Sequence, residues 1–278
     1  MDGGVQSCGY LLELSLDWIV ERASENIHHL LGESHVTLIA EPLGRFVHAQ
    51  ALHDLRNLFS RLSATTGVAR AYRVRLTDDP DLYDIAFQQQ DDRVILEAAA
   101  SPAEGLGEAL SAVGGLAAGL ATERGVKLLE AAARRMRALT AYDRVTLLVG
   151  EAKATSSRTG VPFGAGANAS LSDGLPLLIP DAKAAPVQLF PREDEDSAAG
   201  IALLRPPSQA QTEELAERGF ASTMRVPVLL LGGEPVGEFR MAHTRPRLPS
   251  FECHAAAELF SQLFAMRLEI DGLKGTGG

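Results

Sequence analysis

Residues 224–243, MRVPVLLLGGEPVGEFRMAH, decide the fold. Two strand-like runs, MRVPVLLL and EPVGEFRMAH, flank Gly232-Gly233. A glycine pair between such runs is a strong hairpin signal, because glycine accepts the positive φ that a tight turn needs. Working outward, TEELAERG (212–219) reads as a helix stopped by Gly219, and RVTLLVG (144–150) as a buried strand. The stretch 152–169 is rich in Gly, Ser, Ala and Thr and reads as a loop. Residues 173–200 are long, proline-punctuated and irregular, with the acidic run REDED at 192–196. A loop of that length inside a compact domain has either a functional or a packing reason. Residues 107–139 have a helical pattern, and a further helix from about 251 to 270 closes the chain.

The first hundred residues have a different order. Residues 10–14 and 18–21 suit a hairpin, and Ser24-Glu25-Asn26 opens a short helix, NIHHLLG, that Gly32 stops. A helix over roughly 49–62 carries Leu52, Leu55, Phe59 and Leu62 at helical spacing. YRVRL (72–76), YDIAFQQQ (83–90) and RVILEAA (93–99) alternate as strands do, with Asp91-Asp92 as a tight turn. Pro102 and the Ala/Gly-rich stretch 103–121 mark a boundary. The expected class is α+β with two domains, 1–102 and 103–278, each an antiparallel sheet with flanking helices. The first has the element order of a PAS domain and the second that of a GAF domain.

Composition narrows the function classes. With 46% hydrophobic and 22% charged residues, 278 residues can build two real cores. A net charge of −10 argues against gripping nucleic acid phosphates or an anionic membrane. Two cysteines give no disulfide framework and no C-x-x-C zinc pair. No signal peptide and no apolar run of bilayer-spanning length is visible, so a cytoplasmic location is expected. His28, His29, His35, His48 and His53 share no face with a carboxylate, so no metal is expected. GAGANAS (164–170) lacks the strand-to-helix context of a phosphate loop. No nucleophile–base constellation is present, and the chain is not expected to be an enzyme.

The motifs resemble those of bacterial phytochromes over about residues 5–269. VQSCGYLLEL (5–14) is similar to the family's I-Q-P-H-G-x-L-L-x-L, and ASENIHHLLG (23–32) to its x-S-x-N-x-x-x-L-L-G. LTAYDRV (139–145) resembles L-T-G-Y-D-R-V. LIPDAKAAPVQLFP (178–191) resembles L-I-x-D-x-x-x-x-P-V-x-L-x-P, the lasso through which the family's N-terminal segment threads. RGFASTMRVPVLLLGGEPVGEF (218–239) and the closing AHTRPRLPSFECHAAAELFSQLFAMRLE (242–269) complete the series. The resemblance implies a PAS–GAF photosensory core, whose family binds biliverdin.

Departures from the family pattern imply altered chemistry. The family's attachment cysteine lies upstream of I-Q-P-H-G, where only four residues precede Val5, and Cys8 takes the place of the histidine. The GAF cysteine of plant and cyanobacterial relatives falls at Thr212. The P-x-S-D-I-P motif is reduced to LSDG at 171–174, and the pyrrole-water histidine aligns with Gln211. Ala242 replaces the first histidine of a pair and His243 keeps the second. Leu148 replaces a tyrosine, and Thr223 and Arg225 replace serines. Of two propionate-binding arginines, Arg205 is kept and the other is Leu177. A bilin carries two carboxylates and a protonated tetrapyrrole, and buried charges need partners. Leu148, Leu177 and Ala242 suit a pocket filled by its own side chains.

The resemblance together with these departures implies a phytochrome-like sensory module that has lost biliverdin binding, holds no cofactor, and signals through dimerisation and protein contact. The alternatives are a red/far-red photoreceptor holding biliverdin in an unusual way, or a small-molecule or redox sensor using the reshaped GAF cavity. Cys8 reads as a redox thiol or as a small residue beside a turn. His243 reads as a ligand donor or as a core histidine, and Arg205 as an anion contact or a structural ion pair. REDED reads as a solvated loop tip or as a docking surface.

Leu259, Leu263, Met266 and Ile270 form one stripe of the closing helix, and Phe260, Phe264 and Leu268 a second. Leu129, Ala132, Met136 and Leu139 offer another on the preceding helix. Two stripes on one helix leave apolar surface for a partner. The equivalent family helices pack across a two-fold axis, so a homodimer through Leu129, Met136, Leu259, Leu263, Met266 and Ile270 is expected. In the family the last helix continues into a further domain. Here the Gly-rich GLKGTGG (272–278) reads as a frayed or natural terminus rather than a cut helix, with an excised fragment as the other reading.

Overall fold

The computed structural model describes residues 4–61, 68–102, 107–161, 175–191 and 198–275. The REDED run and the GAGANAS and LSDG stretches lie outside the described residues. The elements follow in order: β1 (Gly4–Gln6), β2 (Gly9–Ser15), β3 (Val20–Ser24), α1 (His28–Leu31), α2 (His35–Leu38), α3 (Ala49–Ser60), β4 (Ala69–Val74), β5 (Tyr83–Gln90) and β6 (Arg93–Ala100). Then come α4 (Glu108–Ala118), α5 (Gly125–Thr140), β7 (Arg144–Val149), β8 (Ala152–Ser157), β9 (Leu177–Ile179) and β10 (Pro186–Phe190). The chain ends with α6 (Gln209–Glu217), β11 (Ser222–Leu229), β12 (Pro235–His243) and α7 (Phe251–Gly275).

The chain forms two compact units, Met1–Ala103 with Ala184–Pro206, and Glu104–Lys183 with Pro207–Gly278. Residues 184–206, expected with the second domain, thus pack with the first.

The first unit is a seven-stranded sheet in the order β1-β10-β3-β2-β6-β5-β4. One face carries Leu12, Leu14, Val20, Phe87, Val94 and Leu96, which pack with Leu30, Leu38 and Leu55 of α1, α2 and α3. Gly32, at φ 74°, ends α1 as the sequence suggests. Trp18 closes the β2–β3 turn at φ 66°. Its ring is buried, edge-on to Phe59 and Phe87 at 5.9 Å each. The excursion 184–206 completes this sheet. β10 pairs antiparallel with β1, Val5 opposite Val187, and with β3, Phe190 opposite Ala23.

The excursion is pinned by a buried carboxylate. Glu97 of β6 accepts the backbone N–H groups of Leu203 and Leu204 at 2.8 and 2.7 Å. Burial pushes the Glu97 carboxyl above its ordinary value even though these two bonds, and Arg205 and Arg70, oppose the shift. Gly9 explains why the phytochrome-like VQSCG stretch keeps its glycine: a Cβ there would run into Leu204 and the carbonyl of Ala98.

The second unit is a five-stranded antiparallel sheet, β8-β7-β12-β11-β9. Alternation divides its residues between two faces. Val145, Leu147, Phe239, Met241, Met224, Val226 and Leu178 point one way and are buried. Phe239 meets Phe260 and Phe264 of α7 at 6.1 and 5.5 Å, so α7 covers this face. The Ser261 hydroxyl ties α7 to β11 by donating to the Pro227 carbonyl at 2.7 Å.

The structure corrects three sequence expectations here. The helix expected over 107–139 is two helices, α4 and α5, because the chain turns at 119–124 and restarts at Gly125, φ 51°. The expected loop 152–169 begins with β8, paired along its length with β7; its Ala/Ser/Thr composition hid an edge strand. Leu129 and Met136, expected in a dimer interface, are buried within the chain's own core, so that stripe of α5 is not available to a partner. The α7 stripe is: Leu259, Met266 and Ile270 are 40%, 42% and 48% exposed and Leu263 is half-buried.

Candidate functional site

The other face of the second sheet is built from charge. Register places Thr146, Arg240, Arg225 and Leu177 in one row across four strands, and Arg144, Ala242, Thr223 and Ile179 in the next. Lys153 lies opposite Leu148, which lies opposite Glu238. Above these rows sits α6, started by a capping box in which the Ser208 and Gln211 side chains each bond the other's backbone.

Between sheet and helix is a cavity of about 60 Å³. Its lining includes Arg144, Lys153, Arg225 and Arg240 from the strands, with Glu214 and Arg218 from α6 and its C-cap. Thr146, Leu148, Thr223, Ala242, Leu215 and Phe220 complete it. One end is apolar, where Leu177, Ile179, Leu215 and Phe220 pack together.

The charges are organised into pairs. Glu214 bridges two guanidiniums, Arg218 at 3.0 Å and Arg225 at 3.3 Å. Glu238, buried and two residues along the same strand, contacts Arg240. Burial, reinforced by the positive charge of Arg218, pulls Arg144 below its ordinary value. That shift is the signature of cations crowded into a poorly solvated site.

The residues singled out from sequence are dispersed. Thr223 lines the cavity, but its hydroxyl is committed to the Met241 carbonyl at 2.7 Å. Gln211 is used in the α6 cap, and the Thr212 hydroxyl donates to Gln209 at 2.8 Å. His243 follows Ala242 in β12 and so takes the opposite face. There its ring lies edge-on to Tyr142 at 6.3 Å, and its Nδ1 meets the backbone of Arg245 at 3.0 Å. Arg205 belongs to the first unit, donating to the Ala202 carbonyl at 2.9 Å. Cys8 is half-buried in the β1–β2 turn. Leu148 and Ala242 do line the cavity, while Leu177 sits in the apolar end.

Sequence reasoning missed Arg144, Lys153, Glu214, Arg218 and Arg240. The signal was available: RVTLL, TMRVP and EFRMA each place a polar or charged residue two positions from a residue already assigned to the cavity face.

A second polar cluster lies beside the sheet. The Asp143 carboxylate accepts the Thr244 amide at 3.0 Å and hydroxyl at 2.7 Å, and pairs with Arg158 at 3.1 Å. Burial alone would raise the Asp143 carboxyl, but the Thr244 bonds, His243 and Arg158 hold it below the usual value.

Residues 125–270 match the GAF domain family. The chain belongs to the GAF-domain family. Residues 1–101 match the PAS fold. Among solved structures, the PAS–GAF chain is similar to the wild-type chromophore-binding domain of a Stigmatella aurantiaca phytochrome. The identity is 22%, the TM-score 0.77, and 95% of each chain is covered. The chromophore-binding domain of an unusual bacteriophytochrome from R. palustris aligns with a TM-score of 0.80 at 21% identity, covering 98% of this chain and 96% of that one. A longer structure of the R. palustris protein is covered over 59% of its length, and 97% of this chain, at 20% identity and a TM-score of 0.80. A search among curated proteins gives no match. The PAS–GAF fold is thus that of bacteriophytochrome chromophore-binding domains. Among the described residues, no His, Cys, Asp and Glu side chains group as a metal site, and no helix is long and apolar enough to cross a membrane.

Proposed function

We propose that this PAS–GAF chain is a bilin-independent sensory module that acts as a homodimer and signals by contact rather than by catalysis. The observation that carries the reading is the cavity on the GAF sheet. At about 60 Å³ it is well below the roughly 300 Å³ at which small-molecule pockets begin. Its sheet face is occupied by Arg144, Arg225 and Arg240. A protonated tetrapyrrole laid on that face meets guanidiniums of its own sign, while Glu214 and Glu238 are already engaged by arginines. The solved relatives are described as chromophore-binding domains, and this chain shares their scaffold.

The exposed stripe of α7 supports the second half of the proposal. Phe260 and Phe264 on its inner face are fully buried, so Leu259, Met266 and Ile270 are surplus to the chain's own core. A second copy offers the same stripe, and a two-fold axis lets each cover the other. The test is co-elution on gel filtration with mass from light scattering. The expected result is a dimer that leaves added biliverdin in the small-molecule fraction. A monomer refutes the contact mode, and biliverdin carried with the protein refutes bilin independence.

A further inference from the structure

We infer that the cavity between α6 and the GAF sheet is a binding site for a compact oxyanion of the phosphate class, held by Arg144, Arg218, Arg225 and Arg240. The inference rests on the bilin-independent reading, since both ligands would claim the same sheet face. The chain is acidic overall, with net charge −10, yet the lining gathers four arginines and Lys153 against Glu214, with Glu238 beside Arg240. Arg225 and Arg240 are direct cross-strand partners, and like charges in that relation are destabilising. Glu214 and Glu238 offset part of this repulsion, and an anion shared by both guanidiniums offsets more. Guanidinium forks match phosphate oxygens bidentately, which makes arginine suited to this role.

Size sets the class of ligand. One water needs roughly 10–15 Å³ of such space, so the cavity holds a few waters and admits a compact tetrahedral group. Glu214 shows how the site is occupied without a ligand: its two carboxylate oxygens reach Arg218 and Arg225 at 3.0 and 3.3 Å. An arriving anion competes with Glu214 for the same guanidiniums, Arg218 at the α6 C-cap and Arg225 on the sheet.

The experiment titrates the full chain with inorganic phosphate, and separately with phenyl phosphate, at ionic strength held constant with chloride. Binding is read by calorimetry and by thermal unfolding. The expected result is saturable binding and a rise in Tm, because a ligand stabilises the state it binds. Equal affinities identify the free ion, and a tighter phenyl phosphate identifies the phosphoryl end of a larger molecule; either supports the site. Arg225→Gln is expected to weaken phosphate by about tenfold or more, the worth of one charged hydrogen bond. Glu214→Gln removes the internal competitor and is expected to tighten it, a gain that a structural role does not produce. No saturation by millimolar phosphate beyond the chloride control overturns the inference, as does Glu214→Gln binding no more tightly than the parent chain. A failure here leaves the biliverdin result unchanged. A failure of bilin independence appears instead as pigment bound with the protein.

Discussion

Arg225 and Arg240 face one another across β11 and β12, each held by its own carboxylate, Glu214 for one and Glu238 for the other. The sheet tolerates adjacent guanidiniums because these acids are present. Glu238 is buried, so neutralising it removes the carboxylate that offsets Arg240 beside Arg225. Glu238→Gln is expected to cost about 3–5 kcal/mol of stability, the range for breaking a buried pair. Adding Arg240→Met should recover most of it, and urea unfolding of the single and double variants measures the coupling.

Glu97 holds the excursion 184–206 to the first unit through two backbone amides. Removing the acceptor leaves two buried N–H groups unpaired. At about 1–3 kcal/mol for each, Glu97→Ala is expected to lower stability by about 2–6 kcal/mol. Hydrogen exchange at Leu203 and Leu204 should accelerate, while exchange in β12 should not.

The α7 stripe makes a prediction about mass. Met266→Glu puts charge where a second copy is expected to pack, and Met266 is 42% exposed, so the monomer's own core is spared. Light scattering should show the variant as a monomer with an unchanged Tm at low concentration. A variant that stays dimeric removes α7 from the interface.

Asp143 sets the acid limit of the second unit. Its carboxyl lies below its ordinary value in the folded state, so the unfolded chain binds the proton more tightly. The stability it contributes is present above that value and is lost as pH falls through the lower folded one. Asp143→Asn should therefore flatten the loss of stability as pH falls below the ordinary aspartate value of about 3.9, seen in unfolding midpoints across the acid range.

Much of the fold was legible from local signals. Gly232-Gly233, Gly32 and Gly219 punctuate the chain where the elements end, since φ at Gly32, Gly219 and Gly233 is positive. The edge strand β8 was hidden because small polar residues score as loop, although pairing with β7 made them a strand. Leu129 and Met136 show the limit of periodicity: spacing finds an apolar stripe but not which surface covers it. The arginines of the cavity were missed for a related reason. Family motifs direct attention to substituted positions such as Ala242 and Thr223, whereas Arg240 and Arg144 become neighbours only through strand register.

The most direct test of the central claim is a difference spectrum. The purified chain is mixed with excess biliverdin, freed of unbound pigment, and recorded in the visible range before and after red and far-red illumination. The account predicts no retained red-absorbing band and no light-induced difference. A sharp red band that photoconverts would contradict it, and a Cys8→Ser variant would then show whether that thiol holds the pigment.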